Sequence, residues 1–147
     1  MSHVTAIKVE IDKLEDLKKA VEAMGGIWRE GQRTYKWYGR HVGDYPMPEG
    51  FTEADLGKCD HAIGLPGVNY EVGVVKKANG KYTLLYDFYG HSGQHDGMKL
   101  KSHFGDNLGK LVTEYGVNRM KREARMRGYA VQRKQVGEKT KLVLQKL

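Results

Sequence analysis

Cysteine is almost missing from this chain: Cys59 stands alone among 147 residues. A single thiol can neither close an internal disulfide nor furnish a four-cysteine zinc site, so the fold must hold itself together by burial. That composition suits a reducing compartment, and a cytoplasmic location, or an organelle stroma, is the expectation. Proline is nearly as scarce, and two of the three, Pro46 and Pro48, fall in one short stretch. No apolar run approaches the roughly 20 residues that cross a bilayer, so no membrane is expected as a partner. The opening Met1-Ser2-His3-Val4-Thr5-Ala6 shows no basic segment leading into an apolar one, and no export signal is read there. Also missing are a phosphate-binding Walker loop, a dinucleotide glycine fingerprint, a nucleophile elbow and a zincin helix. No catalytic residue is nominated and no cofactor is called for.

What is present is a regular alternation of strand and helix signals. Thr5, Ile7, Val9 and Ile11 share one parity over 5–11, as a half-buried strand requires. Asp12 then reads as an N-cap with Glu15 in capping-box position, and Leu14, Leu17, Val21 and Met24 form the apolar stripe of a helix that Gly25-Gly26 ends. Strands follow over 27–30 and 33–38. Periodicity lapses over 39–58, an insertion read as an interaction surface or a surface excursion. A strand pair over 70–77 and 82–89 is joined through Asn79-Gly80, read as a type I′ turn. Residues 90–105 read as a flexible connection, 107–127 as a long helix, and 129–135 with 140–146 as a last hairpin around Gly137-Glu138.

Both ends therefore follow one plan, a strand, a helix and two more strands, over about 1–38 and 82–147. Neither half could bury its apolar face alone. The expectation is a single α+β domain in which two β-α-β-β halves pool strands into an antiparallel sheet covered by two main helices.

With these elements placed, the chain resembles the uncharacterised family typified by hypothetical chloroplast reading frame thirty-five, with plastid, cyanobacterial, other bacterial and viral members. The resemblance runs over nearly the whole chain. It rests on the opening Met1-Ser2-His3, on Cys59-Asp60-His61-Ala62-Ile63, on Tyr70-Glu71-Val72-Gly73-Val74-Val75, on Leu84-Leu85-Tyr86-Asp87 and on Arg122-Glu123-Ala124-Arg125-Met126-Arg127-Gly128-Tyr129. It implies a fold more than a function. The segment 44–58 and the loop at 91–95 are less typical of the family, which makes them the places for any lineage-specific role.

Charge is distributed unevenly. The net charge is +7, yet from Lys110 onward there are 11 basic residues against three acidic ones, while the rest of the chain is close to neutral. Basicity is a property of the C-terminal third, as an anion-facing surface or a solvated helix face would have it. Arg119, Lys121, Arg122 and Arg125 crowd the long helix, and Arg133 and Lys134 lie in the final hairpin, which Lys139 and Lys141 decorate further. Lys121, Arg122 and Arg125 are expected to project as one ridge, away from Leu111, Tyr115 and Met120. Trp28, Arg29, Arg33, Tyr35, Lys36, Trp37, Tyr38 and Arg40 form a second aromatic and basic group, the composition of a sheet surface that stacks bases, although one parity of it must be core.

Cys59 and His61, with His91 and His95 in a His-x3-His spacing, are the candidate metal ligands. Cys59 with His61 is the candidate thiolate–imidazole pair. In a glycine-rich loop that spacing fixes no common face, so solvated histidines and a half-buried thiol are the simpler reading. Three functions result: a non-catalytic adaptor for a protein partner, a basic-surface nucleic-acid or polyanion binder, and a small metal- or cysteine-dependent enzyme.

Overall fold

A computed structural model describes residues 4–39, 46–88 and 95–147. Ten elements organise them: β1 (Thr5–Ala6), α1 (Leu14–Ala23), β2 (Ile27–Arg29), β3 (His61–Leu65), β4 (Val68–Lys76), β5 (Tyr82–Tyr86), α2 (Asp96–Phe104), α3 (Gly109–Met126), β6 (Tyr129–Val136) and β7 (Lys139–Lys146). The first five strands form one sheet in the order β1-β5-β4-β3-β2, every neighbour antiparallel, and β6 and β7 form a two-stranded sheet of their own. The class is α+β, as expected. The larger sheet takes all its strands from the part of the chain before α2, while the final hairpin stands apart from it.

Strand parity divides the five-stranded sheet into two covered faces. Ile63, Val72, Val74, Leu84 and Tyr86 look toward the helices, where Leu17 and Val21 of α1, Leu100 and Phe104 of α2, and Leu111 and Tyr115 of α3 close the main core. Burying such a set supplies roughly 1.5–3 kcal/mol for each large side chain and drives the fold. On the opposite parity Ala62 and Leu85 meet Val4, Tyr35 and Cys59, and Trp37, Phe51, Leu56 and Val75 pack around them. Gly73 is needed here. A Cβ at that position would lie 2.3 Å from the Tyr35 ring, so only glycine lets the aromatic plane rest on the sheet.

Several local expectations are corrected. Residues 33–38 form no strand: the segment crosses the second face of the sheet, held by Tyr35 N–H to the Gly57 carbonyl at 3.0 Å, Glu71 N–H to the Lys36 carbonyl at 2.8 Å and a lone bridge between Thr34 and Lys58. Tyr35 and Trp37 do share an inward parity and pack as core, but no ladder accompanies them. The described part of the 39–58 insertion is structural as well, since Phe51 and Leu56 cover that same face. α2 stands where the sequence predicts a flexible connection; His95 caps it by accepting from Gly97 N–H at 3.1 Å, and Leu100 and Phe104, one turn apart, are fully buried.

Two further corrections concern helix and turn chemistry. The N-cap of α1 is Lys13 and makes no side-chain cap; the Asp12 and Glu15 carboxylates are drawn instead to α3. In the β4–β5 loop only Gly80 has positive φ, at 84°, so the turn is not type I′, and the Asn79 side chain accepts from Lys81 N–H at 3.0 Å.

Candidate polyanion-binding surface

α3 carries basic residues on two sides, and its neighbours decide what each can do. Toward α1 the helix presents Tyr115, Arg119 and Arg122. The Arg122 guanidinium spans both oxygens of Asp16, with Nε at 3.1 and 3.2 Å and Nη2 at 3.0 Å, and it also approaches Glu15 at 3.6 Å. Asp16 is fully buried, so this is an internal pair that satisfies a carboxylate the fold has removed from water. The hydrogen bonds to Asp16 also hold the Arg122 pKa above its ordinary value.

Two turns earlier, the Tyr115 hydroxyl donates to Asp12 at 2.6 Å and accepts from the Asp12 N–H, while Arg119, on the turn between, reaches the other carboxylate oxygen at 2.9 Å. The Tyr115 hydrogen bond, with the Arg119 charge behind it, lowers the Asp12 pKa. The expected ridge of Lys121, Arg122 and Arg125 is therefore split. Arg122, like Arg119, belongs to the α1–α3 seam, whereas Lys121 is half-buried, Arg125 is exposed, and neither forms an ion pair among the described residues. Met120, which the sequence groups with the core side, is 46% exposed.

The hairpin of β6 and β7 offers a different arrangement. Its register places Tyr129, Val131 and Arg133 opposite Lys146, Leu144 and Leu142, so these six side chains share one face. Arg133 of that face reaches Glu114 of α3 at 2.6 Å, which fixes the face as the one turned to the helix. The hydrogen bond to Glu114 raises the Arg133 pKa, and this guanidinium is committed internally too.

The other parity carries the exposed side chains Ala130, Gln132, Lys134, Val136, Lys139, Lys141 and Gln145, five of them polar. Lys134 stands directly across from Lys141. Neither strand contains an acidic residue, and the hairpin's one carboxylate, Glu138, lies in the turn. Gly137, with φ of 60°, allows the two-residue turn that sets this register. A cross-strand pair of like charges opposes hairpin formation, and among the described residues no carboxylate forms an ion pair with Lys134, Lys139 or Lys141.

In sequence Lys139 and Lys141 only decorate the hairpin; register makes them, with Lys134, the centre of the basic surface. The signal for this lies in the chain itself, because a two-residue Gly-Glu turn fixes which residues oppose each other.

The metal candidates are not brought together among the described residues. His91 lies outside them. Cys59 is buried, donates to the Gln32 carbonyl at 3.1 Å, and has its thiol pushed up to about 12 by desolvation and by the Asp60 and Glu71 charges. His61 stacks on Trp28 at 5.4 Å and accepts from Gly31 N–H at 3.0 Å, while His95 caps α2 and meets the Tyr70 ring edge-on. No group of three or more metal-ligating side chains occurs among the described residues. A thiol held so far above neutrality supplies little thiolate, which removes the support for a Cys59–His61 nucleophile.

An open groove of about 520 Å³ runs between β1 and residues 46–51, with Lys8, Glu49 and Lys77 as its titratable groups. Lys77 is paired with Glu10 at 3.2 Å. No helix among the described residues is long and apolar enough to cross a membrane.

No family model, curated protein or solved structure matches this chain.

Proposed function

We propose that this chain is a binding module for a polyanion, and that the open face of the β6–β7 hairpin is its contact surface. The observation that carries this reading is the facing pair Lys134 and Lys141, beside Lys139, on a ribbon with no carboxylate in either strand. Phosphate or sulfate groups placed against that face would relieve the repulsion and release counterions, which is how a cationic surface gains affinity. The basic residues of α3 and of the helix-facing side of the hairpin serve the fold: Arg119, Arg122 and Arg133 are occupied by Asp12, Asp16 and Glu114. Kinship with the plastid reading-frame family belongs to the same proposal, and it brings no activity with it.

Fluorescence anisotropy of labelled heparin and nucleic-acid fragments at about 50 and 200 mM salt tests the reading, because polyanion affinity falls steeply over that range. Binding at low salt that weakens at least tenfold at the higher salt is expected. It should disappear when Lys134, Lys139 and Lys141 are all replaced by Glu, with circular dichroism unchanged. No binding at low salt, or binding indifferent to the triple replacement, sinks the proposal.

An adaptor role toward a protein is the second reading. Its support is that Met120, Met126, Val136, Leu144 and Leu147, five of the seven large apolar side chains left exposed among the described residues, lie in the last part of the chain. Copurification from native cells, with protein and nucleic-acid fractions both analysed, separates the two.

A further inference from the structure

Resting on the polyanion reading, we infer that the hairpin's ligand is B-form duplex DNA, with the ribbon lying in the major groove and its open face toward the base edges.

Three observations carry the argument. The first is shape. β6 and β7 run side by side for eight residues each, from the Tyr129–Lys146 pair to the Val136–Lys139 pair. At about 3.4 Å per residue the ribbon is roughly 25 Å long, with its strands about 4.8 Å apart. The major groove of B-DNA, about 12 Å wide, admits a two-stranded ribbon, whereas the minor groove, about 6 Å wide, does not.

The second is the chemistry of the open face. Gln132 and Gln145 bring paired amide donors and acceptors, which match the N6 and N7 edge of adenine. Lys134, Lys139 and Lys141 bring donors that match O6 and N7 of guanine or reach the flanking phosphates. All five side chains are exposed, and none of them forms a salt bridge or hydrogen bond to another described residue.

The third is what that face lacks. Its members from Ala130 through Gln145 include no aromatic side chain, and the hairpin's one aromatic, Tyr129, is on the parity turned to α3. Single-stranded nucleic acids are held by stacking bases on aromatic rings, so a face without rings is poorly suited to them. Double-stranded RNA presents a deep, narrow major groove that side chains cannot read, which leaves B-form DNA.

The test uses the full chain and four labelled probes: a 25-base-pair DNA duplex, one of its single strands, an RNA duplex of matching sequence, and heparin. Methyl green, which occupies the major groove, and netropsin, which occupies the minor groove, serve as competitors. At least tenfold tighter binding of the DNA duplex than of the other three probes is expected, with displacement by methyl green and none by netropsin. Replacing Lys134 and Lys141 together by Ala should weaken duplex binding at least tenfold and reduce the salt slope by about two. Replacing Gln132 and Gln145 by Ala, which leaves the charge intact, should narrow the preference between duplexes of different sequence.

Equal binding of single strand, RNA duplex or heparin, or displacement by netropsin alone, overturns the major-groove inference while leaving polyanion binding in place. Absence of binding to all four probes overturns both. A circular dichroism spectrum matching the parent accompanies each variant, and the competitor experiment needs no variant at all.

Discussion

Two sets of basic residues, both in the C-terminal third of the chain, meet opposite electrostatic fates in this protein. Along the α1–α3 seam Arg119 and Arg122 are matched by Asp12 and Asp16. On the open face of the C-terminal hairpin Lys134, Lys139 and Lys141 have no carboxylate in either strand to answer them. The residue types differ in keeping with this. Arginine offers a planar fork suited to a fixed bidentate pair in a partly dry seam, whereas lysine keeps a mobile, well-hydrated charge on a surface. A count of basic residues cannot separate the two, although only the second set is free to meet a ligand.

The sharpest way to break the comparison is at the seam. Replacing Asp16 by Ala leaves the Arg122 guanidinium beside a cavity with no buried anion to bind, and thermal unfolding should shift down on the order of 5–10 °C. The same experiment on Lys134→Ala should give a change within about 1–2 °C. A tolerant Asp16→Ala variant would show that the seam is not where α3 is anchored.

Acidification separates the regions more gently. The folded-state pKa of Asp12 is held below its ordinary value by the Tyr115 hydrogen bond and the Arg119 charge. Its contribution is therefore fully present above the unfolded carboxylate pKa of about 4 and is lost as pH falls through the lower folded value. Chemical denaturation between about pH 5 and pH 2 should show this loss, and Asp12→Asn should flatten the lower part of the curve.

How much of this is legible from residues alone follows the same division. Helix α1, the β4–β5 pair and α3 announce themselves by the periodicity of their apolar residues, and the last hairpin by its Gly137-Glu138 turn. β3 does not. From Ala62 to Leu65 it is buried on both faces, so it shows no alternation, and its clearest signal is the Pro66-Gly67 turn that follows, where Gly67 takes φ of 73°. α2 is hidden by glycine and histidine in its approach, and its Leu100 and Phe104 pair is too short a stripe to read without the sheet beneath it. At the candidate surface, helical spacing alone groups Arg122 with Lys121 and Arg125. Only the position of α1 shows that Arg122 turns inward, because spacing orders the faces of a helix but does not say which of them a neighbour will cover.

The smallest expected effect discriminates best between a solubilising surface and a binding one. Lys134 and Lys141 face each other across the β6–β7 ladder, and neither strand holds a residue of opposite sign. A pair of that kind opposes hairpin formation by roughly a few tenths of a kcal/mol, a cost that a surface needing only solubility could avoid by alternating signs. Replacing Lys141 by Glu turns the repulsive pair into an attractive one. Hydrogen exchange of the hairpin amides should then slow slightly, by about 0.2–1 kcal/mol in opening free energy. If the face serves a polyanion, the same change should cost affinity, since it removes one phosphate-facing charge and introduces a repulsive one. Stability rising while binding falls marks a surface kept basic for its ligand; stability rising with low-salt binding untouched would mean that the lysines of β6 and β7 do no more than keep the ribbon in water.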